Sequence, residues 1–288
     1  MGQGSGGIHL VIDYIRENLS YYPLFFRLLF MTHKDVIPER VDFGNDKEQY
    51  FLYYEPAKPV SDKIVVWVHG GGWNAGNPTQ FDYVGQFMAN AGYRFVSIGY
   101  RLSTKYKYPA QIEDVCKAYN TAMKFLRDKG IDTSKVIVSG PSAGAHLSSI
   151  MCYSNMVQAL YRVDVSNVIG YVGFGGPYSF RKDSTWTLRT LAGMLFPKGY
   201  DWLGGEPWSL MSESKIPMLL IHSRHDGIVG FGCAEDFAEK AGVVGNKCEI
   251  YEVEDKKNTH SWYTAGCFFL SREENKTLDR FLTFIEEA

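Results

Sequence analysis

The sequence predicts an α/β protein: one mostly parallel sheet covered by helices on both faces. Two observations point there. Short apolar, β-rich runs alternate with segments of helical period along most of the chain. Each run is almost unbroken in its apolar character, as a strand buried on both faces must be. Size and charge are compatible with this class. The chain has 288 residues, 45% of them hydrophobic, which suffices for a sizeable core. The 30 Lys and Arg against 32 Asp and Glu give a net charge of −2. That balance argues against a nucleic-acid surface, which needs a basic face to displace counterions, and against disorder.

Taken in order, the Gly-rich start MGQGSGG reads as a flexible tail, and Gly6 breaks a myristoylation pattern. Residues 8–31 read as one or two short helices broken at Pro23, forming an N-terminal arm over residues 1–40. The apolar stretch 21–31 is short, contains Arg27 and follows no basic region, so it is read neither as a signal peptide nor as a membrane span. From residue 41 to 288 a single domain is expected. Its strands are placed at 48–55, 63–70 (KIVVWVHG), 93–100, 135–140 (KVIVSG), 168–176, 217–222 (PMLLIH) and 247–254. Helices are placed at 79–91, from Pro109 to Gly130, from Ser142 onward and at 231–241. A last helix is placed from Ser271, capped with Glu274, with Leu278, Phe281, Leu282 and Ile285 as its buried stripe. The five cysteines have no C-x-x-C pair, so neither a disulfide framework nor a structural zinc site is expected. A reducing, cytoplasmic setting follows as an expectation.

In a parallel sheet, function gathers at the carboxyl ends of the strands. Two such ends carry chemistry. After KVIVS comes Gly140-Pro141-Ser142-Ala143-Gly144, between a strand and a helix. This is the context of a nucleophile elbow, in which a tight turn raises a serine above the sheet. After KIVVWV comes His69-Gly70-Gly71-Gly72-Trp73. Consecutive glycines let backbone N–H groups approach a developing oxyanion, as acyl transfer requires. A phosphate loop is the weaker rival, because no G-K-[ST] or G-x-G-x-x-G continuation follows.

These motifs, with Tyr100-Arg101-Leu102, YPAQIEDV at 108–115 and GPSAGAHL at 140–147, resemble the α/β-hydrolase superfamily. More narrowly they resemble its esterase/lipase branch related to hormone-sensitive lipase, and the kynurenine formamidases near it. The resemblance runs from about residue 40 to the end. It implies Ser142 as nucleophile, with the N–H groups of Gly71, Gly72 and Ala143 as oxyanion hole. It implies that His69 braces the glycine loop and that Gly140 and Gly144 shape the turn. Arg101 would pair with Asp114. The chain departs from the usual pattern at Pro141, where a polar residue is more common, and at Ser223, where a glycine is.

In this fold the triad order is Ser, Asp or Glu, then His. Asp226, just after PMLLIH, is the candidate acid, and Asp255 is its rival at the end of the last strand. His260, in the segment NTHSW, is the only His after Asp226 and is the candidate base. The remaining histidines are read as packing or surface residues. No metal and no organic cofactor is expected.

Two segments could cover the site: the arm, and residues 177–215 with Trp186, Leu191, Met194, Leu195, Phe196, Trp202 and Trp208. If the bulky side chains of the second wall the pocket, short acyl esters are preferred over long ones. The arm is either a lid or a contact between two copies, as in a homodimer. The expected partner is a small ester or formamide. The leading reading is a serine carboxylesterase. An arylformamidase-type amidase and a hydrolase fold reused as a ligand-binding module remain as alternatives.

Overall fold

A computed structural model describes residues 12, 15–17, 19, 20, 22, 23, 26, 35–181, 184–253 and 259–288. Eight strands form one sheet: β1 (Glu39–Asp42), β2 (Tyr50–Tyr54), β3 (Ile64–Val68), β4 (Arg94–Ile98), β5 (Val136–Pro141), β6 (Val168–Phe174), β7 (Met218–Ser223) and β8 (Cys248–Val253). Their order is β1-β2-β4-β3-β5-β6-β7-β8. The β1–β2 and β2–β4 pairs are antiparallel, and the other five are parallel.

Strands β2, β3 and β5 are wholly buried, and β4 is buried after Arg94, because alternate side chains enter two different cores. Val66, Val68, Val136 and Val138 face one core with α2 (Ala110–Asp128), α3 (Ala143–Tyr153) and α7 (Gly232–Val244). Val65, Trp67, Ile137 and Val172 face the other with α1 (Asp82–Asn90) and α9 (Lys276–Glu287). Burial on both faces explains why these strands lack polar alternation.

The sheet places the site. From β3 the chain crosses outward to β4, then returns to β5 on the other side of β3. The point where the winding reverses therefore lies between β3 and β5. Their carboxyl ends carry the glycine loop and the serine turn, the place where such sheets leave a crevice.

Several expected boundaries are corrected. The arm was drawn to residue 40, yet β1 begins at Glu39 and spans that boundary. Tyr22 and Pro23 are both helical, and the residues on either side, where the break at Pro23 would show, lie outside the described residues. The last helix starts at Lys276, not Ser271. Asn275 caps it, its Oδ1 accepting from the N–H groups of Thr277 (2.9 Å) and Leu278 (3.2 Å). Ser271 and Glu274 do bond to each other, but in the turn before the helix. Its buried stripe is as expected: Leu278, Phe281, Leu282 and Ile285. The unpredicted elements are β1, α4 (Asn155–Tyr161), α5 (Trp186–Leu195), α6 (Pro207–Leu210), α8 (His260–Thr264) and two short 3₁₀ turns.

The two edges of the sheet carry charge. On β8, Glu249 pairs with Arg280 of α9 at 2.7 Å and Glu252 with Arg224 at 2.8 Å. On β1, Asp42 pairs with Arg40 at 2.8 Å and Glu39 with Lys129 at 2.7 Å.

Candidate active site

Ser142 sits between β5 and α3 with φ +50° and ψ −119°. A non-glycine residue in this region is strained and persists only where its surroundings enforce it. They do so here by close packing. A Cβ on Gly144 would lie 1.9 Å from the Val68 carbonyl oxygen, and one on Gly140 would lie 2.5 Å from the same atom. The turn is thus pressed against the end of β3. The Ser142 N–H donates to the Phe174 carbonyl at 2.7 Å, tying the turn to β6 as well. Pro141 is accommodated as the last residue of β5, where it is buried.

The glycine loop faces this turn. Gly71 has φ +112° and Gly72 φ +57°. Among the described residues, no acceptor is found for the N–H groups of Gly71, Gly72 or Ala143. Three polarised donors are therefore left beside Ser142, the last at the start of α3 where the helix dipole adds positive potential. Gly71, Gly72 and Ser142 border a cleft of about 850 Å³, with Asn74, Thr79, Phe81, Tyr83, Thr187, Leu191 and His260 among its other walls. Ala143 is buried behind the wall.

His69 is fully buried and stacks on Tyr100, with ring centroids 4.1 Å apart. Its Nδ1 lies 2.7 Å from the Gly70 carbonyl oxygen and so holds the start of the loop. Burial pushes its pKa down to about 4, so the ring is neutral. A second brace runs through His146. Its Nδ1 accepts from the Trp73 indole N–H at 3.3 Å, and its Nε2 donates to the Gly205 carbonyl at 2.8 Å. Loop, elbow helix and the segment over the sheet are thereby joined. Burial pushes the His146 pKa down to about 3. Arg101 forks onto Asp114 through Nε and Nη2, each at 2.8 Å.

Asp226 and His260 meet behind the cleft. The His260 Nδ1 lies 2.6 Å from Asp226 Oδ2. The other carboxylate oxygen, Oδ1, accepts from the N–H groups of Ile228 (2.9 Å) and Val229 (2.7 Å). The Tyr263 hydroxyl donates to Oδ2 at 2.5 Å. Burial works against the charge of Asp226, yet His260, His222 and the Tyr263 hydroxyl together hold its carboxyl below the usual value. Burial likewise works against a charged His260, but the Asp226 carboxylate outweighs it and raises the imidazole pKa, with Glu17 adding to the effect. His222 spends its Nε2 on the Val229 carbonyl at 2.9 Å, and burial lowers its pKa. Its Nε2 stands 3.6 Å from Asp226 Oδ2. Asp255 lies outside the described residues, as do His9 and His33.

Three features of the site were not foreseen. His260 is the first residue of α8, a short helix that the segment NTHSW does not announce. Tyr263, one helical turn on, gives Asp226 an extra donor. Glu17 of the arm reaches the His260 backbone across 243 positions of sequence. No local pattern marks Glu17 or Tyr263. Among the missed elements, the caps are legible signals: Ser154 at α4, Thr185 at α5, and Pro207 as the first residue of α6.

The expected aromatic wall is corrected. Of the seven residues named in 177–215, only Leu191 borders the cleft, joined by Thr187. Trp186 is 77% exposed, and Leu195 and Phe196 are buried. Phe196 joins the core shared by α2, α3 and α7, and Phe180, Tyr200 and Trp202 pack around it, with ring centroids 5.4 to 6.0 Å apart. The bulky rings of this segment therefore do not limit the length of an acyl chain in the cleft. Among the described residues, no three His, Cys, Asp or Glu side chains are grouped to hold a metal ion, and no helix is long and apolar enough to cross a membrane.

The family model described as BD-FAE matches residues 52–241. Carboxylesterase NlhH of Mycobacterium tuberculosis is 35% identical over 101 residues, 35% of this chain and 32% of that protein. An arylesterase of Saccharolobus solfataricus is 30% identical over 139 residues, 46% of this chain and 45% of that one. The matched region thus spans less than half the length of either relative. Among solved structures, inhibited esterase B of Lactobacillus rhamnosis superposes with a TM-score of 0.76 at 18% identity, covering 96% of both chains. That likeness bears on the fold, which is the α/β-hydrolase fold.

Proposed function

This chain belongs to the BD-FAE family, in the esterase and lipase branch of the α/β-hydrolases, and from that premise we propose that it is a serine hydrolase cleaving small carboxylic esters through an acyl-enzyme on Ser142. One observation carries the reading. Ser142 and His260 border the same cleft, with Asp226 bonded behind His260 and unpaired N–H groups beside Ser142.

The chemistry follows from the roles. With Nδ1 spent on Asp226, Nε2 is the nitrogen of His260 free to act. It takes the proton of Ser142 Oγ as that oxygen attacks the ester carbonyl. The tetrahedral oxyanion is met by the N–H groups of Gly71, Gly72 and Ala143, each such donor worth about 3–4 kcal/mol in the transition state. The imidazolium then protonates the leaving alkoxide. Water, deprotonated by the same nitrogen, releases the acid from Ser142. Asp226 stays ionised, keeps the tautomer and stabilises the imidazolium.

The test is a pre-steady-state assay with p-nitrophenyl acetate. A burst of nitrophenol equal to the enzyme concentration is expected, and Ser142→Ala should lose at least about three orders of magnitude in turnover while keeping its fold. Adding His260→Ala to Ser142→Ala should cost little more, because the two act as one unit. No turnover by the parent chain would instead support a ligand-binding module. The formamidase alternative rests on GPSAGAHL, and faster turnover of N-formylkynurenine than of any ester would favour it.

A further inference from the structure

The arm contributes a carboxylate that this mechanism does not use. Glu17 is only 3% exposed, yet it borders the cleft. Its Oε2 accepts the backbone N–H of His260 at 2.6 Å. Its Oε1 accepts both the N–H of Ser261 at 2.9 Å and the Ser261 hydroxyl at 2.5 Å. Three charge-assisted bonds, the strong kind, thus converge on two consecutive residues, one of them the candidate base. A second tie lies beside them, the hydroxyls of Ser20 and Thr259 being 2.6 Å apart.

The imidazole itself is held at Nδ1 by Asp226. That bond sets the direction of the ring but leaves the position of its backbone to other contacts. The N–H groups of His260 and Ser261 open α8 and have no partner within it. A neutral or shorter side chain at position 17 would leave at least one of them unpaired in a buried place, and the backbone would shift to find a partner. Catalytic geometry does not tolerate such shifts, and about 1 Å of misplacement can cost 10²-fold.

We propose that Glu17 is a positioning residue, whose grip on the His260 and Ser261 amides sets where the imidazole stands in the cleft and makes the N-terminal arm a working part of the site. This rests on His260 as the base. It recasts the arm: more than a cover over the cleft, it supplies a polar contact on which the geometry of the base depends.

Charge gives the proposal a signature that mere packing lacks. The groups facing His260 are Asp226 from the loop after β7, His222 from β7 itself, Tyr263 from its own helix and Glu17 from the arm. Burial raises the Glu17 carboxyl above its ordinary value, with Asp226 adding to this and His260 opposing it. While ionised, Glu17 favours the imidazolium of His260.

The experiment compares the full chain with Glu17→Gln and Glu17→Asp. The first readout is the titration of the His260 ring by NMR without substrate. In Glu17→Gln the ring should titrate at lower pH than in the parent, and an unchanged titration would overturn the proposal. The second is kinetics on p-nitrophenyl acetate. Glu17→Gln should lower kcat about 10- to 100-fold with KM within about twofold, and its acid limb should move to lower pH. Parent-like kcat would overturn the proposal. Glu17→Asp keeps the charge and shortens the reach. It should keep the parent's titration and still lose kcat, which covers the case in which the Gln variant does not fold. Parent-like kcat from Glu17→Asp would again count against positioning. A parent chain that turns over no ester would sink the esterase reading, while the NMR titration would still decide the Glu17–His260 coupling.

Discussion

His260 is gripped twice, at its ring by Asp226 and at its backbone N–H by Glu17 of the arm. Chain order alone pointed to it, as the only histidine after Asp226, and the structure places its ring 2.6 Å from that carboxylate. Its partners Tyr263 and Glu17 follow no spacing rule, because one belongs to an unforeseen helix and the other to a distant arm. The raised pKa of His260 has a measurable consequence. As the proposed base, His260 works only when unprotonated, so kcat/KM should fall as pH drops through a value above the ordinary imidazole figure of about 6.5. Asp226→Asn removes the carboxylate that raises this pKa, so its residual activity should show the acid limb at lower pH. A pH–rate profile of parent and variant checks both, and an acid limb that does not move would detach Asp226 from His260.

At the scale of elements, the strand–turn–helix around Ser142 was the most legible part of the chain. Its signal is local: an apolar strand, two glycines two residues either side of a serine, and a helix. The structure adds why the glycines are required. Gly144 has no room for a methyl group, since the Val68 carbonyl would stand 1.9 Å from it. Gly144→Ala must push α3 away from β3. We expect a loss of about 2 kcal/mol or more, read as a fall in Tm of roughly 4 °C or more, together with loss of activity. A variant with parent-like Tm and turnover would show that the turn can open without harm. Other elements were read less well, for identifiable reasons. The start of α9 was misplaced because two capping patterns lie four residues apart, Ser271 with Glu274 and Asn275 with the amides after it. The buried end of the helix decides in favour of the second, since its stripe begins at Leu278. The segment 177–215 was read as a wall because its order of apolar residues does not say which way they point. Leu195 and Phe196 point into the core with Trp202 packed against it, Trp186 and Met194 face outward, and Leu191 borders the cleft.

For the whole molecule, the class of fold was legible because burial on both faces leaves its mark on each strand separately. The order of the strands was not, because it depends on pairings between residues far apart. The edges were less legible: β1 was missed, and the glutamates in KCEIYEVE do not by themselves say that β8 is outermost. The structure shows what they share. Each outermost strand ends the sheet with carboxylates clamped to basic side chains, Glu249 and Glu252 on one side, Glu39 and Asp42 on the other. A second molecule adding a strand there would have to strip water from these ion pairs, so edge-to-edge growth into aggregates is opposed. The double replacement Glu249→Thr with Glu252→Thr removes that obstacle and substitutes a strand-favouring residue. It should leave turnover unchanged, because neither residue borders the cleft, while lowering the concentration at which the protein begins to aggregate on storage. Light scattering over days would register the difference, and a variant as well behaved as the parent would mean that the twist of β8, rather than its charge, keeps neighbouring molecules apart.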